Sequence, residues 1–125
     1  MHPMKSRGGW RRIVAATGYS AAGLKAAFRH EAAFRQELAI GVPALLLAGW
    51  VASTAWQALA LVTVVVLVWI VELLNSAIES LADAVSDEHR PLLGRAKDLG
   101  SAAVMLSLLL AGAVWALALW QRFAA

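Results

Sequence analysis

Leu59-Ala60-Leu61-Val62-Thr63-Val64-Val65-Val66-Leu67-Val68-Trp69-Ile70-Val71 runs directly into Glu72-Leu73-Leu74-Asn75-Ser76-Ala77-Ile78-Glu79-Ser80-Leu81-Ala82-Asp83. The first half, broken only by Thr63, has the composition of a segment made for lipid. The second half is polar on one side. On a helix turning about 100° per residue, Asn75, Ser76, Glu79 and Asp83 fall at about −60°, +40°, −20° and +20° from Glu72. Three carboxylates and an amide therefore share a stripe about 100° wide. Leu73, Leu74, Ile78, Leu81 and Val85 fill the remainder. Acidic groups near the end of a membrane helix are costly and mark a site or a pathway. A solvated helix end accounts for Asp83, Asp87 and Glu88. It accounts poorly for Glu72 and Asn75, which follow the apolar run without a break.

Composition widens this reading to the whole chain. The 125 residues suit one domain. Of them 61% are hydrophobic, with a mean hydropathy of +0.67, above the usual apolar share of a water-soluble domain. Leu38 to Val71 is a run of 34 residues without a charge, and Leu99 to Gln121 is another. One crossing needs about 20 apolar residues, so an all-α integral membrane protein is expected. There is no cysteine, which excludes disulfide and thiolate chemistry. The three histidines, His2, His30 and His89, are too dispersed for a histidine-built metal site. Basic residues near the N-terminus have no apolar segment behind them, so no cleaved signal peptide is expected.

Charge is unevenly placed. Met1 to Glu37 carries seven Lys/Arg and two Glu, net +5, and the remainder carries four Lys/Arg and six Asp/Glu, net −2. A basic flank beside apolar spans fits the positive-inside rule and anionic lipid better than nucleic acid.

The spans follow from length. A 34-residue helix would reach about 51 Å, too long for one ordinary crossing. Gly49, the Ser53/Thr54 pair as an N-cap, and Trp50 and Trp56 as interface residues set a turn near 49–56. The spans are then about 31–51, 53–85 and 93–121. An amphipathic basic helix over about 10–29 precedes them, with Trp10, Ile13, Val14, Leu24 and Phe28 toward one side, and is expected to lie in the membrane interface. Gly18 and Gly23 weaken it, so a bend is expected there. Pro91 is expected to stop the chain at the second turn, and Gly100 to Ala103 are small enough for close helix approach. The basic N-terminus and the Arg90/Arg95/Lys97 turn are expected on the cytoplasmic side, and Trp50, Trp56 and Trp120 in one outer belt.

Glu72 lies 19 residues beyond Ser53, about 29 Å along a helix and close to the hydrocarbon thickness. All eight carboxylates then gather at the inner boundary, whereas a transporter places ionisable groups near the midplane. Such a boundary can hold a lipid head group from one side and a soluble cosubstrate from the other. Carboxylates bind Mg²⁺, a further carboxylate can act as general base toward a hydroxyl, and Lys97 or Arg95 can stabilise phosphate charge. No Gly-rich phosphate loop is present.

Three blocks resemble the small integral-membrane diacylglycerol kinases of bacteria. They are Glu31-Ala32-Ala33-Phe34-Arg35-Gln36-Glu37, then Val71 to Glu79, then Gly94-Arg95-Ala96-Lys97-Asp98-Leu99-Gly100-Ser101-Ala102-Ala103, with Arg12 and Ala16-Thr17-Gly18-Tyr19-Ser20 fitting as well. The resemblance covers nearly the whole chain. It implies a homotrimer in the bacterial inner membrane, with active sites shared between subunits, transferring the γ-phosphoryl of ATP to diacylglycerol to give phosphatidate. It implies Glu72 as general base and Glu31 and Glu79 as ligands of Mg²⁺ and the nucleotide. It implies Arg12, Tyr19, Glu88, His89, Arg90, Lys97 and Asp98 as nucleotide contacts, and Gln36, Glu37, Asn75 and Ser101 as supports of the lipid. Two other readings stand beside it. Undecaprenol kinases share the Glu72-to-Glu79 motif type, and a non-catalytic membrane oligomer would leave the inner-boundary carboxylates without chemical consequence.

Overall fold

The structure is a computed structural model that describes residues 8–124. Four helices occupy them: α1 Gly9–His30, α2 Ala32–Val51, α3 Ala55–Val85 and α4 Pro91–Phe123. No strand occurs among the described residues. The last three are each long and apolar enough to cross a membrane. At 1.5 Å per residue, α2 measures about 30 Å, while α3 and α4 reach about 46 and 50 Å. Both longer helices therefore extend well beyond a hydrocarbon layer of about 30 Å.

The joints are short, and each has a local cause. α1 runs unbroken through Gly18 and Gly23, against the bend expected there. A glycine costs only about 1 kcal/mol in a helix, and the alanine-rich sequence around these two offsets it. The chain turns instead at Glu31, one residue in extended conformation at φ −114° and ψ 104°. Between α2 and α3 the expected N-cap is Thr54, whose Oγ1 accepts from Gln57 N at 3.1 Å. The Gln57 Oε1 accepts in return from Ser53 N at 2.5 Å, a capping box displaced by one residue. Pro91 does not stop a helix but opens α4 at its first turn, where its missing N–H costs nothing and its fixed φ suits a helix.

α3 is the centre of the bundle, packed on one side by α4 and on the other by α2. Its buried residues Leu61, Val64, Val65 and Val68 repeat at helical spacing. α4 answers with Gly100, Ser107 and Ala118, and α2 with Gly41 and Ala48. Small residues let backbones approach where lipid supplies no hydrophobic drive between helices. The Ser107 hydroxyl donates to Val104 O at 2.8 Å within its own helix.

Two tryptophans tie the helices crosswise. Trp69 Nε1 of α3 donates to Glu37 O of α2 at 2.9 Å. Trp115 Nε1 of α4 donates to Leu61 O of α3 at 3.2 Å. The second packs against the core of Ala48, Val51, Leu61 and Ala118. Beyond that core the three helices end together. Gln57 Nε2 donates to Gln121 Oε1 at 2.7 Å, Trp50 meets Phe123 at 5.4 Å between ring centroids, and Arg122 lies 5.1 Å over the Trp50 ring. Trp50, Trp56 and Trp120 thus share one end of the bundle.

Gly41 is the seat of the Trp69 ring. A Cβ at Gly41 would stand 2.5–2.9 Å from three ring atoms of Trp69, while Gly49 on the same helix has open space around it. Gly41→Ala is expected to destabilise the bundle by about 1–3 kcal/mol through overpacking. Gly49→Ala should be neutral or stabilising. Thermal unfolding in detergent micelles checks both, and a Gly41→Ala protein as stable as its parent would contradict this packing.

Candidate active site

The buried stripe of α3 does not end with its apolar residues. From Leu61 through Val65 and Val68 the next position in the repeat is Glu72, and it is only 5% exposed. A carboxylate therefore occupies a core position, one turn past the Trp69 that joins α3 to α2. Glu37, Glu79 and Glu31 lie close enough for their charges to act on it. Glu37 and Glu31 are half-buried and Glu79 is exposed. None of these four is in an ion pair among the described residues, where the two pairs are Arg90–Glu88 at 3.9 Å and Lys97–Asp83 at 2.6 Å.

Asn75 sits one turn beyond Glu72, against α4. Its Oδ1 is buried without a hydrogen-bond partner, and a Cβ at Gly100 would collide with that oxygen. Gly100 is thus the opening in α4 that admits the amide. A buried polar atom without a partner costs free energy, and native proteins tolerate few of them outside functional sites.

Three recesses border the helices of the bundle. A groove of about 580 Å³ between α1 and α3 is lined by Leu24, Ala27, His30 and Glu31 on one wall and by Leu73, Ser76, Ala77 and Ser80 on the other. An apolar groove of about 340 Å³ among α2, α3 and α4 carries Glu37 in its lining, with Gly41, Trp69, Gly112 and Trp115. A smaller recess of about 150 Å³ at the α3–α4 turn brings Glu88, His89, Arg90 and Lys97 together.

The site residues expected from sequence thus form two groups within one chain. Glu31, Glu37, Glu72, Asn75 and Glu79 surround the acidic end of α3. Glu88, His89, Arg90 and Lys97 share the turn. Asp83, read from sequence as a solvated charge, is exposed and also holds Lys97 Nζ at 2.6 Å. Gln36, Asp98 and Ser101 are exposed on α2 and α4. Arg12 and Tyr19 lie on α1 about 28 and 18 Å along the helix from Glu31.

Three positioning residues, Arg35, Trp69 and Gly41, escaped the sequence reading, which gave a fourth, Gly100, only as a place of close helix approach. Arg35 and Glu31 are four apart, which reads as a local ion pair, yet the Arg35 Nη1 donates to Phe28 O at 2.8 Å and Arg29 O at 3.1 Å. Trp69, Gly41 and Gly100 carried a signal only in combination: a tryptophan three residues before a buried glutamate, and a glycine on each facing helix.

Residues 18–119 match the family model described as prokaryotic diacylglycerol kinase. The chain belongs to this family. It is 46% identical to the diacylglycerol kinase of Escherichia coli over 115 residues, which covers 92% of this chain and 94% of that one. It is also 46% identical to the diacylglycerol kinase of Pseudomonas aeruginosa over 114 residues, 91% of this chain and 93% of the relative. With the Haemophilus influenzae diacylglycerol kinase the identity is 39% over 107 residues, 86% and 91% of the two chains. The family match therefore spans α2, α3 and nearly all of α4, together with the C-terminal half of α1.

The fit of Asn75 into Gly100 gives an energetic expectation. Gly100→Ala should destabilise the protein, and Asn75→Ala in the same chain should recover part of the loss. Residues in direct contact couple by about 0.5–3 kcal/mol in a double-mutant cycle. Unfolding of the parent and the three variants measures the coupling, and strict additivity would show that the amide does not rest on the glycine.

Proposed function

We propose that this chain phosphorylates diacylglycerol at the acidic end of its membrane bundle, with ATP as phosphoryl donor and Glu72 as general base. The observation that carries the reading is the carboxylate of Glu72, held in a core position of α3 among Glu31, Glu37 and Glu79. Family membership and the names of the relatives support the substrate and the reaction class.

Glu72 has the placement such a base needs. It lies about 26 Å along α3 from Ala55, close to a hydrocarbon thickness. The hydroxyl of a lipid whose chains stay in the bilayer reaches that depth. Glu72 takes the hydroxyl proton as the oxygen forms its bond to the γ-phosphorus and the bond to the β-phosphate oxygen breaks, leaving phosphatidate and ADP. The proton then passes from Glu72 to water. Asn75 and Glu37, one turn along and across from Glu72, orient the glycerol portion, and Gln36 and Ser101 support the lipid from α2 and α4.

The acidic group fits a divalent cation. Glu31 and Glu79 are hard oxygen donors without a cationic partner among the described residues, and Mg²⁺ binds through one or two carboxylates with substrate phosphates and water. Among the described residues no three metal-ligating side chains converge, and Glu31 and Glu79 are the two ligands proposed. When bound there, Mg²⁺ would offset charge on the phosphoryl group. Lys97, Asp98 and the Glu88-His89-Arg90 turn contact the nucleotide.

Arg12 and Tyr19 of α1 belong to the same set of nucleotide contacts. In a homotrimer with shared sites, α1 of one copy completes the site of the next. The basic residues around α1 support an inner-membrane protein with its N-terminus in the cytoplasm.

Labelled γ-phosphate from ATP, offered with diacylglycerol or undecaprenol in mixed micelles, tests the proposal. Label is expected in phosphatidate. Label in undecaprenyl phosphate would replace the substrate, and no transfer to either would reject a kinase in favour of a non-catalytic oligomer. Glu72→Gln is expected to keep the helical content and oligomer while kcat falls about 10²–10⁴-fold, the usual worth of a general base. Parental turnover in that variant would refute the assignment. Glu31→Ala and Glu79→Ala should each raise the Mg²⁺ concentration needed for half-maximal rate or abolish activity. An unchanged Mg²⁺ titration in both would remove them as ligands.

A further inference from the structure

α1 has one buried side chain in 22 residues, Ala27. Packing therefore contributes little to the direction in which this helix leaves the bundle. The direction is set at its end. Only Glu31, extended, separates α1 from α2. A free joint of one residue would leave α1 to pivot.

A helix ends with four carbonyls lacking partners in the helix. At the end of α1, Ala27 O accepts from Glu31 N at 2.9 Å. The next two, Phe28 O and Arg29 O, both accept from Arg35 Nη1 at 2.8 and 3.1 Å. Arg35 stands in the first turn of α2, and its own N–H donates to Glu31 O at 3.2 Å. Its guanidinium thus spans the joint and fastens the last turn of one helix to the first turn of the next. The cation also lies where the partial negative charge of the α1 C-terminus is concentrated.

We propose that Arg35 is a positioning residue that sets the angle of α1 to the bundle, and through it the reach of Arg12 and Tyr19 toward the acidic site of a neighbouring copy. The nucleotide half of this inference rests on the function proposed above. The leverage is large. Arg12 is about 28 Å from the pivot along α1, so a swing of 10° moves it by about 5 Å, more than the length of a hydrogen bond. Lysine keeps the charge but lacks the planar fork that holds two carbonyls in one geometry. A merely local cap would change the fraying of the last turn and leave both the angle and the nucleotide affinity where they were.

The absence of native cysteine makes a distance measurement direct. Spin labels are placed on α1 by Ala21→Cys and on α2 by Leu46→Cys, in full-length chains diluted with unlabelled chains. The Arg35 parent should give one narrow distance distribution. Arg35→Ala should broaden it or shift it by several ångströms, with Arg35→Lys intermediate. In the same unlabelled variants, KM for ATP is expected to rise about tenfold while kcat and KM for diacylglycerol stay within about twofold, the pattern of lost ground-state binding. If Arg35→Ala does not assemble, Arg35→Lys carries the same comparison. An unchanged distance distribution overturns the role of Arg35 at the joint. A broadened distribution with an unmoved KM for ATP overturns its control of nucleotide reach. Failure of the parent to phosphorylate lipid overturns the proposed function and the nucleotide half with it, while the distances still decide the joint.

Discussion

The hydrogen bond from Trp69 Nε1 to Glu37 O is the contact on which the placement of the acidic site depends. Within a hydrocarbon layer an indole N–H has no water to turn to, and leaving it without an acceptor costs several kcal/mol. A helix backbone offers carbonyls only to a neighbour that comes very close. Gly41 permits that approach because the ring lies where any side chain at this position would begin. Once Trp69 is seated, α2 and α3 have one register, and Glu72, one turn further along α3, enters the core beside Glu37. Trp115 does the same for α4 through Leu61 O. The bundle is therefore fastened by two polar contacts in a surrounding that otherwise distinguishes poorly between registers.

The two ends of the bundle contrast in how their polar groups are satisfied. At the tryptophan end, Thr54, Gln57 and Gln121 bond one another and Arg122 lies over Trp50. Partners there come from the chain itself. At the acidic end, four glutamates gather without a cationic partner among the described residues, and the Asn75 oxygen is buried with no hydrogen-bond partner among them. Folding alone does not reward that arrangement, because clustered like charges repel and a buried acceptor without a donor costs free energy. Departures from local consistency of this kind concentrate where a protein binds or reacts. The chain belongs to a family of diacylglycerol kinases, so its reaction joins an apolar lipid to a charged phosphoryl group.

α1 stands apart from both ends in its logic. It has little hold on its own bundle, and its large apolar side chains, Trp10, Ile13, Leu24 and Phe28, remain exposed. An amphipathic helix of this kind gains its stabilisation from the membrane interface rather than from the chain. The joint at Glu31 then has two tasks. It presents a carboxylate to the acidic group, and it directs a helix of about 33 Å over the surface.

The number and apolar nature of the spanning helices, the cap at Thr54, the turn at Asp87 to Arg90 and the acidic stripe of α3 were all legible in the sequence. These depend on composition, spacing and nearest-neighbour chemistry, which a linear chain carries explicitly. The bend expected at Gly18 and Gly23 and the stop expected at Pro91 failed for a related reason: each residue tolerates a helix in the right position, and local preferences of about 1 kcal/mol do not settle the matter. Only the tertiary structure decided that Glu72 is buried while Glu79, on the same stripe, is exposed. The same holds for Trp69 over Gly41, Asn75 in the gap at Gly100, Arg35 across the joint and Lys97 on Asp83. Each joins residues on different helices or across a joint, and which faces meet follows from how the backbones approach in space.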